Sequence, residues 1–269
     1  MAKSADTTES IVDKLTLFNN ELMGKVFDQN IPATEYLIQT ILGREDIRVK
    51  QVKGEYSMKN PRVGGRDITL DILAEDMNGR EFDVEVQNDP EGAHVRRARF
   101  HSSMTDSRML NESQSFRELR DSYVIFIYRR DKYRKGLPVY HIDRFVKETG
   151  KDFGDGSHII YVNGRYEGDD EIGRLLHDFK SRKSVEIYNR ELARGVWQYK
   201  ETEEGRAEMA DIVKEYGKIK EREGEKRGET LLGKLILVLQ KAERYDDITR
   251  VASDSKYRQK LYKELNISL

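Results

Sequence analysis

Two stretches, Asp67-Ile68-Thr69-Leu70-Asp71-Ile72-Leu73-Ala74 and Glu81-Phe82-Asp83-Val84-Glu85-Val86-Gln87, alternate polar and apolar residues on either side of a turn at Asp76–Gly79. A period of two predicts strands, and the short segment between them predicts a β-hairpin. One face carries Ile68, Leu70, Ile72, Phe82, Val84 and Val86. The other carries Asp67, Thr69, Asp71, Asp83, Glu85 and Gln87. Like charges facing each other across strands destabilise the pairing. A face of acids is therefore either turned to water, where acids cost little, or used to hold a cation.

Loop length separates these readings. Asp71 and Glu85 are 14 positions apart. A three-residue loop, Met77-Asn78-Gly79 with Gly79 left-handed, sets them directly opposite on one face. Their Cβ atoms are then about 4.5–5.5 Å apart, close enough to share a cation. A two-residue Asn78-Gly79 loop puts them on opposite faces.

Upstream of the hairpin, residues 11–43 read as helical, with Pro32 at a helix start and Gly43 as a stop. Ile47–Met58 reads as a strand, followed by a loop at Pro61, Gly64 and Gly65. Downstream, Asn88–Pro90 breaks the strand and Glu91–Leu110 predicts an arginine-rich helix. Ser122–Tyr128 is a continuous apolar run, as expected of a buried central strand. Val139–Ile142 and His158–Val162 read as further strands, and a helical region runs from Asp169–Asp178 through Glu186–Val196.

The composition changes near Lys200. In residues 200–229, 18 of 30 are charged, which predicts a solvent-exposed helix laced with ion pairs. A short apolar helix, Leu231–Leu239, and two small helices, Tyr245–Ala252 and Ser255–Leu265, are expected to close the chain. The expected organisation is a domain over residues 11–198 and a charged helical extension with a small bundle over 199–269. Trp197 is expected to pack where the extension joins the core.

Composition narrows the function. Of 269 residues 36% are charged, yet 48 Lys and Arg balance 49 Asp and Glu. That balance excludes gripping nucleic acid by bulk charge and leaves local patches open. Cysteine is absent, which excludes a disulfide scaffold, a cysteine-ligated metal and a thiol nucleophile. The five histidines, His94, His101, His141, His158 and His177, have no ligand-type spacing. A metal would sit on carboxylates. Met1–Ser10 is polar, and the longest apolar stretch, near Leu235–Leu239, is far shorter than the roughly 20 residues of a membrane span. A cytoplasmic protein without a signal peptide is expected.

The hairpin segment Leu70-Asp71-Ile72 … Asp83-Val84-Glu85-Val86-Gln87 resembles the Rpn family of PD-(D/E)XK nucleases, a family of recombination-promoting nucleases and transposases. Arg97-Ala98-Arg99-Phe100-His101-Ser102-Ser103-Met104-Thr105-Asp106 is similar to that family's arginine-rich helix. Tyr123–Tyr128 and Ile159–Asn163 resemble its central and later strands. The resemblance covers roughly residues 17–200. It implies an α/β (α+β) fold, a restriction-endonuclease-like core with a mixed central sheet flanked by helices, here with a helical C-terminal extension.

It also implies a Mg²⁺-dependent DNA endonuclease, with Mn²⁺ as a substitute. On this resemblance Asp71 is the motif acid, Glu85 the second metal ligand and the Val86 carbonyl a further one. Asp67 and Asp83 are expected to be outer-shell or solvated, and Glu35 resembles an additional helical acid. Gln87 stands where the wider superfamily has Lys. A lysine carries charge, whereas Gln only hydrogen-bonds. Arg96, Arg97, Arg99 and His101 are placed for phosphate contact, and Arg129, Arg130, Lys132, Arg134 and Lys135 form a second basic cluster that is either a DNA contact or a soluble loop. The helical extension is expected to mediate a homodimer. Two rival readings stand: a catalytically weak or inactive DNA-binding or assembly module, kept open by Gln87, and a phage-defence nuclease.

Overall fold

The structure is a computed structural model that describes residues 8–267. The first seven residues of the polar start lie outside it. Three helices open the chain: α1 (Thr8–Lys14), α2 (Asn20–Phe27) and α3 (Ile31–Leu42). The helical run expected over 11–43 is thus divided. Asn30 accepts a hydrogen bond from the Ala33 amide, caps α3 and ends α2's continuation, and Pro32 sits in α3's first turn.

Strands β1 (Val49–Met58), β2 (Ile68–Asp76) and β3 (Glu81–Gln87) follow. Then come α4 (Val95–Met109), β4 (Ser122–Tyr128), β5 (Val139–Ile142), a short ribbon of β6 (Phe145–Val146) and β7 (Lys151–Asp152), and β8 (Ser157–Asn163). Helices α5 (Glu171–Lys180), α6 (Arg190–Glu201), α7 (Glu203–Lys241), α8 (Tyr245–Ser253) and α9 (Ser255–Glu264) complete the chain. The main sheet has the order β1-β2-β3-β4-β8-β5. It is mixed: β1, β2 and β3 are mutually antiparallel, β4 and β8 run parallel to β3, and β5 is an antiparallel edge.

The hairpin has the three-residue loop. Asp76 and Arg80 close it, and Gly79 lies at φ +77°, where a residue with a Cβ would be strained. Ile72 faces Val84 and Ala74 faces Phe82. Continuing that register puts Asp71 opposite Glu85.

The acid face of the hairpin is not turned to water. Helix α4 crosses from β3 to β4 and packs on β3, β4 and β8. Its buried residues are Ala98, His101, Ser102, Met104 and Thr105. Beneath it, Ala93, Ala98, Val124, Phe126, Tyr128 and Tyr161 form a core, with Phe126 stacked on Tyr161 at 5.4 Å. Asp83 and Glu85 share this covered side and are completely buried. The other side of the same strands carries a stack of Phe82, Tyr123 and His158. Helices α2 and α3 pack on β1.

The chain divides into two compact units between Ala210 and Asp211. In the first, buried Lys200 at the end of α6 donates to the backbone carbonyls of Asp13, Leu15 and Arg182. Trp197, expected to pack where the extension joins the core, is 52% exposed. In the second, Leu235 and Leu239 of α7 pack with Val251 of α8 and Leu261 of α9. The apolar Leu231–Leu239 stretch is therefore the last part of one long helix rather than a helix of its own. Among the described residues no helix is long and apolar enough to cross a membrane.

Candidate functional site

The ladder between β2 and β3 stops at Ile72 and Val84. One position further on, side chains take the place of backbone pairing. The Asp71 amide donates to Glu85 Oε1 at 3.0 Å, and the Val86 amide donates to Asp71 Oδ2 at 2.8 Å. Asp71 and Glu85 thus hold the open end of the hairpin together through each other's strand. Amide and carbonyl of one strand residue point the same way, so the Val86 carbonyl also faces this gap.

The remaining oxygens of Asp71 and Glu85 each have a neutral or positive partner. Asn20 at the start of α2 donates to Asp71 Oδ1 at 3.1 Å. Glu85 Oε2 accepts from Gln87 Nε2 at 3.1 Å and from Arg97 Nη2 at 2.8 Å. Asp83, two residues before Glu85 on the same face, accepts from His101 Nδ1 at 2.7 Å. Its other oxygen, Oδ1, is buried without a hydrogen-bond partner among the described residues.

The protonation of His101 follows from its neighbours. Arg97 Nε lies 3.2 Å from His101 Nε2 and is always a donor, so Nε2 is the acceptor and carries no proton. The proton is on Nδ1, directed at Asp83. Burial also pushes the imidazole below its usual range, so the ring is neutral.

Two buried acids and a half-buried one, set side by side, bind protons tightly. Burial, reinforced by Glu85, raises Asp71 well above the usual carboxylate range, and burial likewise raises Asp83. Glu85 is pushed up to about 7, first by burial and then by Asp83. Negative charge concentrated in this way favours a cation. Asp71, Glu85 and the Val86 carbonyl form an oxygen-only donor set, the kind that suits a hard divalent ion. Asp83, Glu85 and His101 also approach one another closely enough to surround an ion. In that group, however, both ring nitrogens of His101 are already engaged, so the first set fits better.

Other expected site residues lie elsewhere. Glu35 is not part of the cluster: its Oε2 accepts from the Val49 amide at 2.8 Å. Val49 pairs with Asp76 at the turn end of the hairpin, five residues along the strand from Asp71, or roughly 17 Å. Asp67 is exposed and paired with Lys59 at 2.8 Å, whereas Asp83, also expected to be outer-shell or solvated, is fully buried. His101, expected at the DNA surface, is only 2% exposed. It supports Asp83 instead, because it falls on the inner side of α4. Arg97 points inward as well. Arg96 and Arg99 point outward and are exposed.

Asn20 was missed by sequence reasoning. It is 51 residues from Asp71, and an asparagine at a helix start ordinarily reads as a cap. Gly92 packs against Gln87: a Cβ there would lie 1.9 Å from Gln87 Oε1, so any other residue would push the Gln87 amide aside.

A mixed sheet with an acid pair at the open end of a hairpin, and a basic helix over it, is the framework of the PD-(D/E)XK nucleases. The sequence model of the PD-(D/E)XK nuclease family transposases matches residues 12–164, and the chain belongs to this family. No curated protein matches the chain, and no solved structure does.

Proposed function

We propose that the protein is a Mg²⁺-dependent DNA endonuclease acting in the cytoplasm on recombining or mobile DNA. The observation that supports this best is the pairing of Asp71 with Glu85 at the point where the β2–β3 ladder opens, beside the Val86 carbonyl. Asp71, Glu85 and that carbonyl would hold the ion. When bound, it lowers the pKa of a coordinated water and offsets charge on the phosphate.

The chain's own residues prepare this centre. Asn20 and the Val86 amide fix the Asp71 carboxylate from two sides. Gln87 spends its amide nitrogen on Glu85, which leaves its carbonyl oxygen to orient a water. Position 87 lacks the superfamily's positive charge, but Arg97 brings a guanidinium to within 2.8 Å of Glu85 from α4. We assign to Arg97 the role of the missing lysine, stabilising charge that develops on the scissile phosphate. This favours a working enzyme over an inactive module. Arg96 and Arg99 supply outer phosphate contacts. Dimerisation through the C-terminal helices belongs to the same proposal, supported by exposed Ile219, Leu237 and Val238 on α7.

The test is nicking of supercoiled plasmid in Mg²⁺ or Mn²⁺ by wild type, Asp71→Asn and Glu85→Gln. These amides keep an acceptor oxygen for the strand-bridging bonds and remove the charge. Wild type should nick, and each variant should lose at least about a hundredfold. Equal behaviour of all three proteins would end the enzymatic reading.

A further inference from the structure

The parallel strands β3, β4 and β8 end side by side at Gln87, Tyr128 and Asn163. In open α/β sheets, ligands bind beyond the carboxyl ends of the strands. Here that edge opens into a cleft of about 830 Å³ lined by Tyr128, Arg130, Lys132, Arg134, Arg165 and Tyr166, among others. Pro90, three residues past Gln87, forms part of its wall. With strands about 4.8 Å apart, the cleft begins within roughly 10 Å of Gln87.

Its charge is unbalanced. Among the described residues, exposed Arg130, Arg134 and Arg165 have no carboxylate partner. Of the two acids beside them, Asp131 is used up inside its own loop, accepting from the amides of Tyr133, Arg134 and Gly136 and from the Tyr140 hydroxyl. Glu167 turns outward, 84% exposed, toward Lys180. The loop is held firmly: Lys132 Nζ donates to the Ala93 carbonyl at 2.6 Å and lies over the Tyr161 ring. Guanidiniums kept free on an ordered loop suit phosphate. The cleft is too small for a duplex, and the ring of Tyr166 gives an unpaired base a surface to stack on.

We propose that this cleft holds single-stranded DNA adjoining the cut, with phosphates on Arg130, Arg134 and Arg165 and a base against Tyr166. The inference rests on the nuclease reading, because it takes the strand to continue from the Asp71–Glu85 centre. The enzyme would then act preferentially where duplex meets single strand.

The test compares binding of a labelled blunt duplex with that of the same duplex carrying a single-stranded extension, followed by fluorescence anisotropy. The proteins are wild type, Glu85→Gln and the triple variant Arg130→Gln/Arg134→Gln/Arg165→Gln. Wild type and Glu85→Gln should prefer the extended substrate. The triple variant should bind it ten- to a hundredfold more weakly at about 0.1 M salt, with the salt slope reduced by about 2, while blunt-duplex binding stays within threefold. Equal affinity of the triple variant and wild type for the extended substrate overturns the proposal. So does a proportional loss on both substrates, which would mark a duplex-backbone contact. Since the readout is binding, a preference that persists while plasmid nicking fails would separate this site from the fate of the nuclease reading.

Discussion

Replacing His101 by Phe tests whether the imidazole supports the acid cluster or serves the DNA. Phe keeps the ring volume and the neighbouring Phe126, whose centroid is 6.0 Å from the imidazole, so little cavity forms. What is lost is the 2.7 Å bond to Asp83, together with the 3.2 Å bond that Arg97 Nε donates to the ring. Asp83 is fully buried and its Oδ1 already lacks a partner, so the variant leaves the whole carboxylate without one. Leaving a buried hydrogen-bond acceptor without its donor costs about 1–3 kcal/mol, and more when the acceptor is charged. For a fully buried carboxylate the expected loss lies at the upper end of that range, about 3 kcal/mol. At roughly 2–4 °C per kcal/mol for a domain of this size, Tm should fall by about 6–12 °C. Burial raises the Asp83 carboxyl, so the cost should shrink as pH falls and the carboxyl binds a proton. Asp83→Asn in the His101→Phe background should recover most of the loss, and the salt slope of DNA binding should not change. Differential scanning fluorimetry across pH, with a salt titration of DNA affinity, measures all of this. A Tm change below 2 °C, or a deficit independent of pH, would refute the reasoning.

The centre also sets a pH dependence. Glu85 titrates near 7 in the fold against about 4.5 in the unfolded chain, so the folded state holds the proton more tightly. That contribution is complete below about pH 4.5 and is lost as pH rises through 7, a decline on the order of 3 kcal/mol. Stability measured from pH 5 to 8 should fall in wild type and fall less in Glu85→Gln. Saturating Mg²⁺ should offset the decline, since an ion at 100 times its Kd contributes about 2.7 kcal/mol. At position 92, Gly92→Ala should cost about 1–3 kcal/mol by forcing Gln87 aside. Chemical denaturation should show that cost largely gone in a Gln87→Ala background. Arg97→Ala should reduce Mg²⁺-dependent nicking by tenfold or more, with Arg97→Lys intermediate; an Arg97→Ala enzyme with full activity would remove Arg97 from the mechanism.

Much of the fold is legible in the sequence because β-periodicity is a local signal. The hairpin and the Ser122–Tyr128 strand follow from alternation and one apolar run, whereas the sequence leaves the loop at two or three residues. What alternation leaves out is which layer covers each face. An acid face reads as solvated until α4 is laid over it, and α4 hides its purpose by presenting His101, Ser102 and Thr105 inward instead of a leucine stripe. The same polar complement moved His101 from the DNA surface to the interior. Asn20 and Glu35 show the other gap: which helical side chain reaches which strand depends on tertiary contacts that no short-range pattern contains.

The bridging bonds at the open end of the hairpin bear on how such a chain would evolve. Asp71 and Glu85 each satisfy a backbone amide of the opposite strand. A lineage that abandoned cleavage would still be selected to keep both acids, because losing either would loosen the sheet. Among the described residues, the side chains of Gln87 and Arg97 hold no backbone amide. Drift would therefore record the loss of chemistry at those two positions first, while the acid pair persisted as a relic of folding.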